Sequence, residues 1–256
     1  MMPRFSASRP ASGAALALVL AMAGCNNGGG NDLNQVAAAT SNEPLPQVPA
    51  PNDGGWTQIV QETPEGGYRM GNPEAPVKLV EYASITCHVC AEFSEAGHEE
   101  LTNEFVKSGQ ISWEYRPYML FPTDPGMFLL LRCQGPQPFF GLAEQLYATQ
   151  KEWAARAQSL PPQQLQALQA MAPPQQAAAL VKAIRMDEFF RQRGLPQSRI
   201  DACLNDQAGL QRLAEITNLG NTDGVNGTPT FLINGKVAGV TAWSALKPRL
   251  RQAIGS

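Results

Sequence analysis

The chain has 256 residues, of which 43% are hydrophobic and 16% are charged, enough to bury the core of one large or two small domains. Its formal net charge of −3 argues against a nucleic-acid-binding protein, which normally carries a basic surface. The slightly negative mean hydropathy excludes a protein with many membrane spans. Five cysteines are too few for a disulfide scaffold at this length, so their positions matter more than their number.

Residues 1–24 have the pattern of a secretory signal peptide. Arg4 and Arg9 precede an apolar run from Ala11 to Ala23, which is too short to cross a bilayer as a helix. The segment ends in Ala-Met-Ala-Gly-Cys and resembles the bacterial lipobox, so we expect Cys25 to be lipidated and to anchor the protein to a membrane. Ordinary cleavage near the same small residues is the alternative. Either route predicts export to the periplasm or cell envelope of a Gram-negative bacterium, where disulfides persist.

Residues 25–55 are predicted to form a flexible tether. Asparagine and glycine dominate its first part and four prolines its second, and it lacks the apolar periodicity needed to bury a face. One globular domain is then predicted over residues 56–256. No internal repeat divides this region.

The globular domain is predicted to begin with a strand, a helix and a second strand. Residues 76–83 form a short apolar run typical of a buried strand. A helix is expected to follow Cys87 and to end at Gly109, because large apolar residues recur at multiples of four between them. Apolar and polar residues alternate over 111–116, which indicates the second strand. This order predicts a parallel βαβ unit.

From about residue 120 to 219 the pattern predicts a helical insertion. Asp124 before Pro125 is typical of a helix N-cap followed by proline at the first helical position. Stretches rich in glutamine and alanine follow, separated by pairs of prolines. Beyond the insertion, Asn-Gly at 234–235 stands between two apolar runs and predicts a β-hairpin. A last helix is expected after Thr241.

Cys87 and Cys90 are separated by two residues, a spacing that fits a redox dithiol, half of a zinc site or two buried hydrophobic residues. The context favours the dithiol, because Cys87 follows a strand and opens a helix, where free N–H groups and the helix dipole stabilise an anion. A thiolate in that place has a lowered pKa and is the nucleophile of disulfide exchange. Cys90 lies one turn further in, where it can attack a mixed disulfide and release the partner.

The stretch from Val80 to Cys90, together with Gly-Thr-Pro-Thr-Phe at 227–231, resembles the DsbA-like branch of the thioredoxin superfamily. The resemblance covers nearly all of residues 66–256. It implies an α/β thioredoxin fold, with a central mixed sheet flanked by helices and an inserted all-helical subdomain. It also implies a periplasmic thiol:disulfide oxidoreductase that needs no metal and no cofactor beyond its redox-active cysteine pair.

The resemblance assigns roles to three more residues. In this family the proline matching Pro229 is cis and lies against the cysteines, and the residue matching Thr228 binds the substrate chain through its backbone. Glu81 matches a buried acid that moves protons to and from the inner cysteine. Independently, an unpaired carboxylate in an apolar strand would have a raised pKa. The alternative is that Glu81 faces the surface or pairs with Lys78 or Lys236.

The remaining histidines and cysteines are less typical. His88 departs from the best-known oxidising members of the family, in which histidine is the second residue between the cysteines. Its imidazolium could still stabilise the thiolate, although the redox potential stays open. His98 is expected to face solvent. The resemblance implies a structural disulfide between Cys133 and Cys203, with two buried thiols or a regulatory disulfide as alternatives.

Three functions fit these residues. The first is oxidation of thiols in exported proteins, after which a membrane redox partner restores the disulfide; reduction or isomerisation on the same fold is the variant. The second is a metal-binding module in which Cys133 and Cys203 complete a zinc site, although isolated cysteines are unlike the paired ligand motifs of structural zinc sites. The third is a lipoprotein that uses the fold only as a protein-binding scaffold. The first is our prediction.

Overall fold

The structure is a computed structural model that describes residues 44–51 and 53–255. The predicted signal peptide, the lipidation at Cys25 and most of the predicted tether lie outside these residues. The strands in the described part are β1 (Val60–Glu62), β2 (Tyr68–Gly71), β3 (Val77–Ala83), β4 (Ile111–Pro117), β5 (Thr230–Ile233) and β6 (Lys236–Val237). The helices are α1 (His88–Glu100), α2 (Asp124–Arg132), α3 (Phe139–Ala148), α4 (Gln150–Gln158), α5 (Pro162–Gln169), α6 (Pro173–Ala183), α7 (Met186–Arg191), α8 (Gln197–Leu204), α9 (Gln207–Thr222) and α10 (Trp243–Ile254).

The six strands form one mixed sheet in the order β1-β2-β4-β3-β5-β6. Strands β3 and β4 are parallel and are joined by α1, whereas the other neighbouring strands are antiparallel. The predicted βαβ unit is therefore confirmed, as is the hairpin of β5 and β6. Asn234 and Gly235 both have positive φ, as a tight hairpin turn requires. Strand β6 is shorter than the apolar run that follows this turn.

Strands β1 and β2 form an N-terminal hairpin that no pattern in the sequence predicts. Val60 pairs with Met70 and Glu62 with Tyr68, and β2 then pairs with β4. These strands have only three and four residues, too few for alternation to stand out from the surrounding polar chain.

Helix α1 starts at the cysteine motif and continues into a π-helical segment, Leu101–Val106. The chain then turns at Gly109, whose φ is +76°. A Cβ atom at this position would overlap the indole nitrogen of Trp56, so glycine is required here for both backbone conformation and space. The predicted end of the helix at Gly109 thus agrees with the structure.

The two faces of the sheet carry separate apolar clusters. One face packs against α1, α3 and α10 and holds the main core, which includes Leu79, Ala83, Trp113, Tyr115 and Phe231. The apolar cluster on the other face is smaller and is covered by α9. Ile216 of α9 belongs to this cluster, together with Val80, Tyr82, Tyr118, Val225 and Leu232. Because α9 packs on the sheet as well as on α2, it links the helical subdomain to the strand-bearing half of the fold.

The helical subdomain is built around α2, which contacts α3, α6, α8 and α9. Cys133, at the end of α2, forms a disulfide with Cys203 in α8, with 6.0 Å between their Cα atoms. Thr123 rather than Asp124 is the N-cap of α2, which corrects the predicted helix start. In the described residues, no helix has both the length and the apolar content needed to cross a bilayer.

The end of the predicted tether is docked on the domain. Leu45 is only 4% exposed, and the backbone N–H of Val48 donates to the carbonyl oxygen of Ser108 over 2.7 Å. The Trp56 indole N–H donates to the carbonyl oxygen of Val48 over 2.8 Å. The prediction of a free tether is therefore wrong for residues 44–48, because a single apolar side chain and a few backbone hydrogen bonds suffice to hold an extended segment without any periodic pattern.

Removing the Cys133–Cys203 disulfide should destabilise the fold. The bond joins cysteines 70 positions apart in the sequence and restricts the unfolded chain. Its loss therefore raises the conformational entropy of the unfolded state. We expect a double alanine variant to lose about 2–4 kcal/mol of unfolding free energy in urea titrations. Alkylation of Cys87 should proceed at the wild-type rate. An unchanged unfolding free energy would exclude a structural role for this disulfide.

Candidate active site

Cys87 lies between the carboxyl end of β3 and the first turn of α1, as the N-cap residue of that helix. Its Sγ accepts a hydrogen bond from the backbone N–H of Cys90 over 3.4 Å, and its thiol donates to the carbonyl oxygen of Thr228 over 3.2 Å. Both cysteines are free thiols in the structure. Cys87 is 8% exposed and Cys90 fully buried, so only the outer sulfur is open to a partner.

The two sulfurs have opposite proton affinities. A hydrogen bond from the Cys90 thiol, helped by backbone N–H groups of the first helical turn, lowers the pKa of Cys87 to about 6 against the effect of burial. Burial raises the pKa of Cys90 well above its usual value, and the hydrogen bond to Cys87 and the charge of Cys87 act in the same direction. At neutral pH the outer sulfur is therefore a thiolate and the inner one a thiol, the arrangement that disulfide exchange requires.

Glu81 is buried in the middle of β3, with 2% of its surface exposed. Its carboxylate accepts a hydrogen bond from the Trp113 indole N–H over 3.0 Å, and burial raises its pKa to about 8. The surface alternative is thus wrong for Glu81. The ammonium group of Lys78 instead donates to the carbonyl oxygen of Pro73. The charge of Glu81 raises the pKa of Cys90, which places the two groups within electrostatic reach of each other.

The loop before β5 completes the site. The Thr228–Pro229 peptide bond is cis, and Pro229 is buried. The carbonyl oxygen of Thr228, the residue before this bond, accepts the hydrogen bond from the Cys87 thiol. The structure therefore brings Thr228, 141 positions beyond Cys87, and its neighbour Pro229 next to the cysteine motif.

Comparisons with known proteins agree with this geometry. A family model described as "Thioredoxin" matches residues 63–250. The chain belongs to the thioredoxin family. A Rickettsia felis protein described as "Putative protein-disulfide oxidoreductase" is 24% identical over 250 residues, which cover 90% of this chain and 81% of the relative.

Two solved structures extend the comparison. The protein-disulfide isomerase from Novosphingobium aromaticivorans is 28% identical and superimposes with a TM-score of 0.71, covering 77% of this chain and 100% of that one. The Wolbachia pipientis protein alpha-DsbA1 has 17% identity and a TM-score of 0.60, covering 78% and 96%. The likeness to alpha-DsbA1 concerns the fold, which in both proteins is the DsbA-like form of the thioredoxin fold. This thioredoxin-family member is a thiol:disulfide oxidoreductase.

Of the two histidines near this thioredoxin-family site, only His98 differs from its predicted setting. His88 is the first residue of α1 and is exposed beside a groove of about 460 Å³ between α1 and the α3–α4 region. Its effect on the Cys87 thiolate stays a prediction. His98 does not face solvent, since its side chain is only 11% exposed. Its ring lies edge-on to Trp113, with 5.2 Å between ring centroids.

Asp124 is a site residue whose position is not evident from the sequence. Its buried carboxylate accepts hydrogen bonds from the backbone N–H groups of Leu120 and Phe121 over 2.8 and 2.9 Å. It also accepts from the hydroxyl groups of Ser84 and Thr86 in the loop that precedes Cys87. Asp124 therefore ties the active-site loop to the loop after β4. Only its burial distinguishes it from an ordinary helix-start aspartate, and burial could not be seen in the sequence.

Two side chains of the helical subdomain also donate hydrogen bonds to backbone carbonyl oxygens around the active-site loop. The Gln150 side chain, at the start of α4, donates to the carbonyl oxygens of Ile85 and Cys87 over 2.7 and 3.0 Å. The Tyr147 hydroxyl, near the end of α3, donates to the carbonyl oxygen of Ser84 over 3.1 Å. No sequence motif marks these residues, because their function depends only on the packing of the subdomain against the loop.

The raised pKa of Glu81 makes a specific prediction for stability against pH. Burial disfavours the carboxylate in the folded state and raises the pKa of Glu81 from 4.5, its ordinary value, to about 8. Ionisation of Glu81 therefore destabilises the fold progressively as pH rises between these two values. The destabilisation is complete above the folded pKa. Glu81→Gln should remove this destabilisation. Between pH 5 and pH 9, the unfolding free energy of the wild type should fall by about 2 kcal/mol or more relative to that of the variant.

This comparison needs urea titrations of the reduced proteins at each pH. Glu95→Gln, an exposed change on α1, is the matched control and should follow the wild-type curve. A difference between wild type and Glu81→Gln that does not vary with pH would show that Glu81 ionises normally.

Proposed function

We propose that this protein is an exported dithiol oxidase. Its Cys87–Cys90 disulfide would accept two electrons from a pair of thiols on an exported protein and leave a disulfide in that substrate. The observation that carries this proposal is the opposite ionisation of the two sulfurs at neutral pH. Stabilisation of the Cys87 thiolate stabilises the reduced form, which makes the disulfide a better oxidant.

The reaction follows from the positions of the two sulfurs. A substrate thiolate attacks Sγ of Cys87, the bond to Cys90 breaks, and Cys90 leaves as a thiolate that takes a proton from Glu81. The second substrate thiolate then attacks the substrate sulfur of the mixed disulfide. Cys87 leaves as a thiolate, which its pKa of about 6 keeps ionised at neutral pH. The substrate gains a disulfide and the protein keeps the two electrons.

The direction of net transfer rests on the thiolate of Cys87. Cysteines at this place have a pKa of about 7 in thioredoxin, a reductant, and about 3.5 in DsbA, an oxidant. The pKa of Cys87, about 6, lies between these two values. Isomerisation is the alternative, since the structural relative from Novosphingobium is described as a protein-disulfide isomerase.

Substrate proteins would contact the backbone of Thr228, whose carbonyl oxygen already lies 3.2 Å from Sγ of Cys87. An extended substrate segment that places its cysteine at Cys87 must pass this residue. Pro229 would hold the chain in position there. Thr228 and Pro229 are accordingly proposed as the substrate-binding residues.

Export and anchoring are proposed from the sequence of the first 25 residues. Lipidation of Cys25 would hold the domain at a membrane of the cell envelope, and residues 26–43 would connect the two. A membrane redox partner would reoxidise the dithiol after each cycle. The exported substrates and this partner would both reach the protein in the periplasm.

The zinc alternative is disfavoured by the second cysteine pair. Cys133 and Cys203 are joined in a disulfide and so are not thiolates that could complete a site with Cys87 and Cys90. Among the described residues, no group of three or more histidine, cysteine or acidic side chains is placed to hold a metal ion.

The reduction potential of the Cys87/Cys90 couple tests the proposed direction. Because the pKa of Cys87, about 6, is lower than the value of about 7 in thioredoxin, we expect a potential less negative than the about −270 mV of thioredoxin. Equilibration with glutathione redox buffers, read by alkylation of free thiols, measures it. A potential of about −270 mV or lower, in the range of thioredoxin itself, would indicate a reductase instead.

Oxidation of a dithiol peptide tests catalysis itself. Cys87→Ser should abolish peptide oxidation. Given the disulfide form of the peptide instead, reduced Cys90→Ser should accumulate a mixed disulfide between Cys87 and the peptide, because Cys87 attacks the peptide disulfide and the resolving sulfur is missing. Equal rates for wild type and Cys87→Ser would reject Cys87 as the reacting group.

A further inference from the structure

The loop that carries Thr228 and Pro229 has little rigidity of its own. This loop, residues 223–229, runs from the end of α9 to the start of β5 and is called the substrate loop below. It contains Gly224, with a φ of +84°, and Gly227. A Cβ atom at either glycine would lie in open space, so no neighbouring atom confines the backbone there. The conformation of the loop must therefore be set by contacts with other parts of the chain.

A buried ionic cluster holds the start of the substrate loop. The Tyr82 hydroxyl, on β3, donates to the carboxylate of Asp223 over 2.6 Å. Arg116, on β4, donates to the Tyr82 hydroxyl over 3.0 Å and to the same carboxylate over 3.4 Å. Two further hydrogen bonds, of 2.7 and 3.1 Å, join the Arg116 guanidinium to the carboxylate of Glu114. Asp223, the C-cap residue of α9, is thus fixed to the two central strands.

Tyr118 holds the same loop at a second point. Its hydroxyl donates to the side-chain oxygen of Asn221 over 2.6 Å and lies 3.4 Å from the carbonyl oxygen of Val225. Val225 is only 3% exposed, and its side chain belongs to the apolar cluster that α9 covers. Burial raises the pKa of Tyr82 in this cluster, so its hydroxyl stays protonated and can donate.

The register of the sheet places this cluster next to the cis peptide bond. Tyr82 lies opposite Arg116 on β4 and opposite Thr230 on β5. Thr230 directly follows Pro229, and its hydroxyl donates to the carbonyl oxygen of Gly227 over 2.7 Å. The substrate loop is therefore held at residues 223, 225 and 227, up to the residue that precedes Thr228.

We propose that Tyr82, Arg116 and Tyr118 position the substrate loop, so that the backbone of Thr228 is ordered before a substrate arrives. The inference rests on the proposed function, which includes contact between substrate and Thr228. The two tyrosines belong to the cluster covered by α9, whereas Cys87 and Cys90 belong to the main core. The three are thus positioning residues that act through the loop.

Ordering the loop in advance lowers the entropic cost of binding. Loss of one of these hydrogen bonds should therefore weaken the binding of a polypeptide that passes Thr228. It should leave exchange at the two sulfurs unchanged. Dithiothreitol has two thiols and no peptide backbone, so its oxidation measures the sulfurs alone. A dithiol peptide measures the sulfurs and the loop together.

The experiment mixes the disulfide form of the full chain with increasing concentrations of a dithiol peptide or, separately, of dithiothreitol. Alkylation of free thiols in quenched samples gives the rate of each reaction. Tyr82→Phe should raise the half-saturating peptide concentration about fivefold, the order expected for the net contribution of one hydrogen bond. The limiting rate with peptide and the rate with dithiothreitol should stay within about twofold of wild type.

Variants of Asp223 test the same contact from the loop side. Asp223→Ala removes the acceptor of the Tyr82 hydroxyl and should raise the half-saturating concentration as Tyr82→Phe does. Asp223→Asn keeps a side-chain oxygen that can accept this bond and should restore most of the peptide binding. The Asp223 side chain is 27% exposed, so its replacement leaves no enclosed cavity.

Trp56→Phe is the matched control for a purely structural effect. It also removes a hydrogen-bond donor from a buried aromatic side chain, but beside Gly109, ahead of the amino end of β4. Urea titration reports the loss of stability in each variant. Trp56→Phe should keep the wild-type half-saturating peptide concentration even if its unfolding free energy falls as far as that of Tyr82→Phe.

The outcomes separate the positioning role from the proposed function. If the wild-type disulfide oxidises neither the peptide nor dithiothreitol, the proposed function fails. If wild type oxidises both, and Tyr82→Phe and Asp223→Ala keep the wild-type half-saturating concentration, the positioning role is rejected. Equal slowing with peptide and dithiothreitol would also reject it, because the change would then lie at the sulfurs. Should Tyr82→Phe not fold, the comparison of Asp223→Ala with Asp223→Asn decides in the same way.

Discussion

The active site depends on the difference between two sulfurs that lie only one helical turn apart. Cys87 lies at the N-terminus of α1, where backbone N–H groups and the Cys90 thiol stabilise its negative charge. Cys90 lies inside the apolar core, where burial opposes ionisation. The difference arises because α1 enters the core immediately after the carboxyl end of β3. Exchange chemistry needs this inequality, since one sulfur must attack and the other must wait protonated.

Much of the remaining structure holds that helix start in place. Asp124 links the loop before Cys87 to the loop after β4, and Gln150 and Tyr147 support the same loop from the helical subdomain. The insertion is therefore part of the site and not merely an addition to a thioredoxin fold. Below the loop, Glu81 is buried because its strand lies at the centre of the sheet, between β4 and β5. The proposed proton transfer with Cys90 depends on the same burial, because burial raises the pKa of Glu81.

Features with a strong local pattern were predictable from the sequence. The central strands, the Asn-Gly hairpin and the helix start at Cys87 each carry their signal within about ten residues. Long-range features carried no such signal. The short N-terminal hairpin, the docking of Leu45 and the setting of His98 all depend on what packs against them, and His98 in particular looks like any polar residue on an amphipathic helix. The buried role of Asp124 was hidden behind a plausible helix-start pattern.

Thiolate titration of the reduced protein tests the central claim most directly. Iodoacetamide alkylation across pH 4 to 10, with each labelled cysteine identified by peptide mass, measures the ionisation of both sulfurs separately. We predict that labelling falls on Cys87 with a midpoint of about 6, while Cys90 stays unlabelled at neutral pH. A midpoint for Cys87 near about 8.5, the value of an ordinary cysteine, or equal labelling of the two sulfurs would contradict this claim.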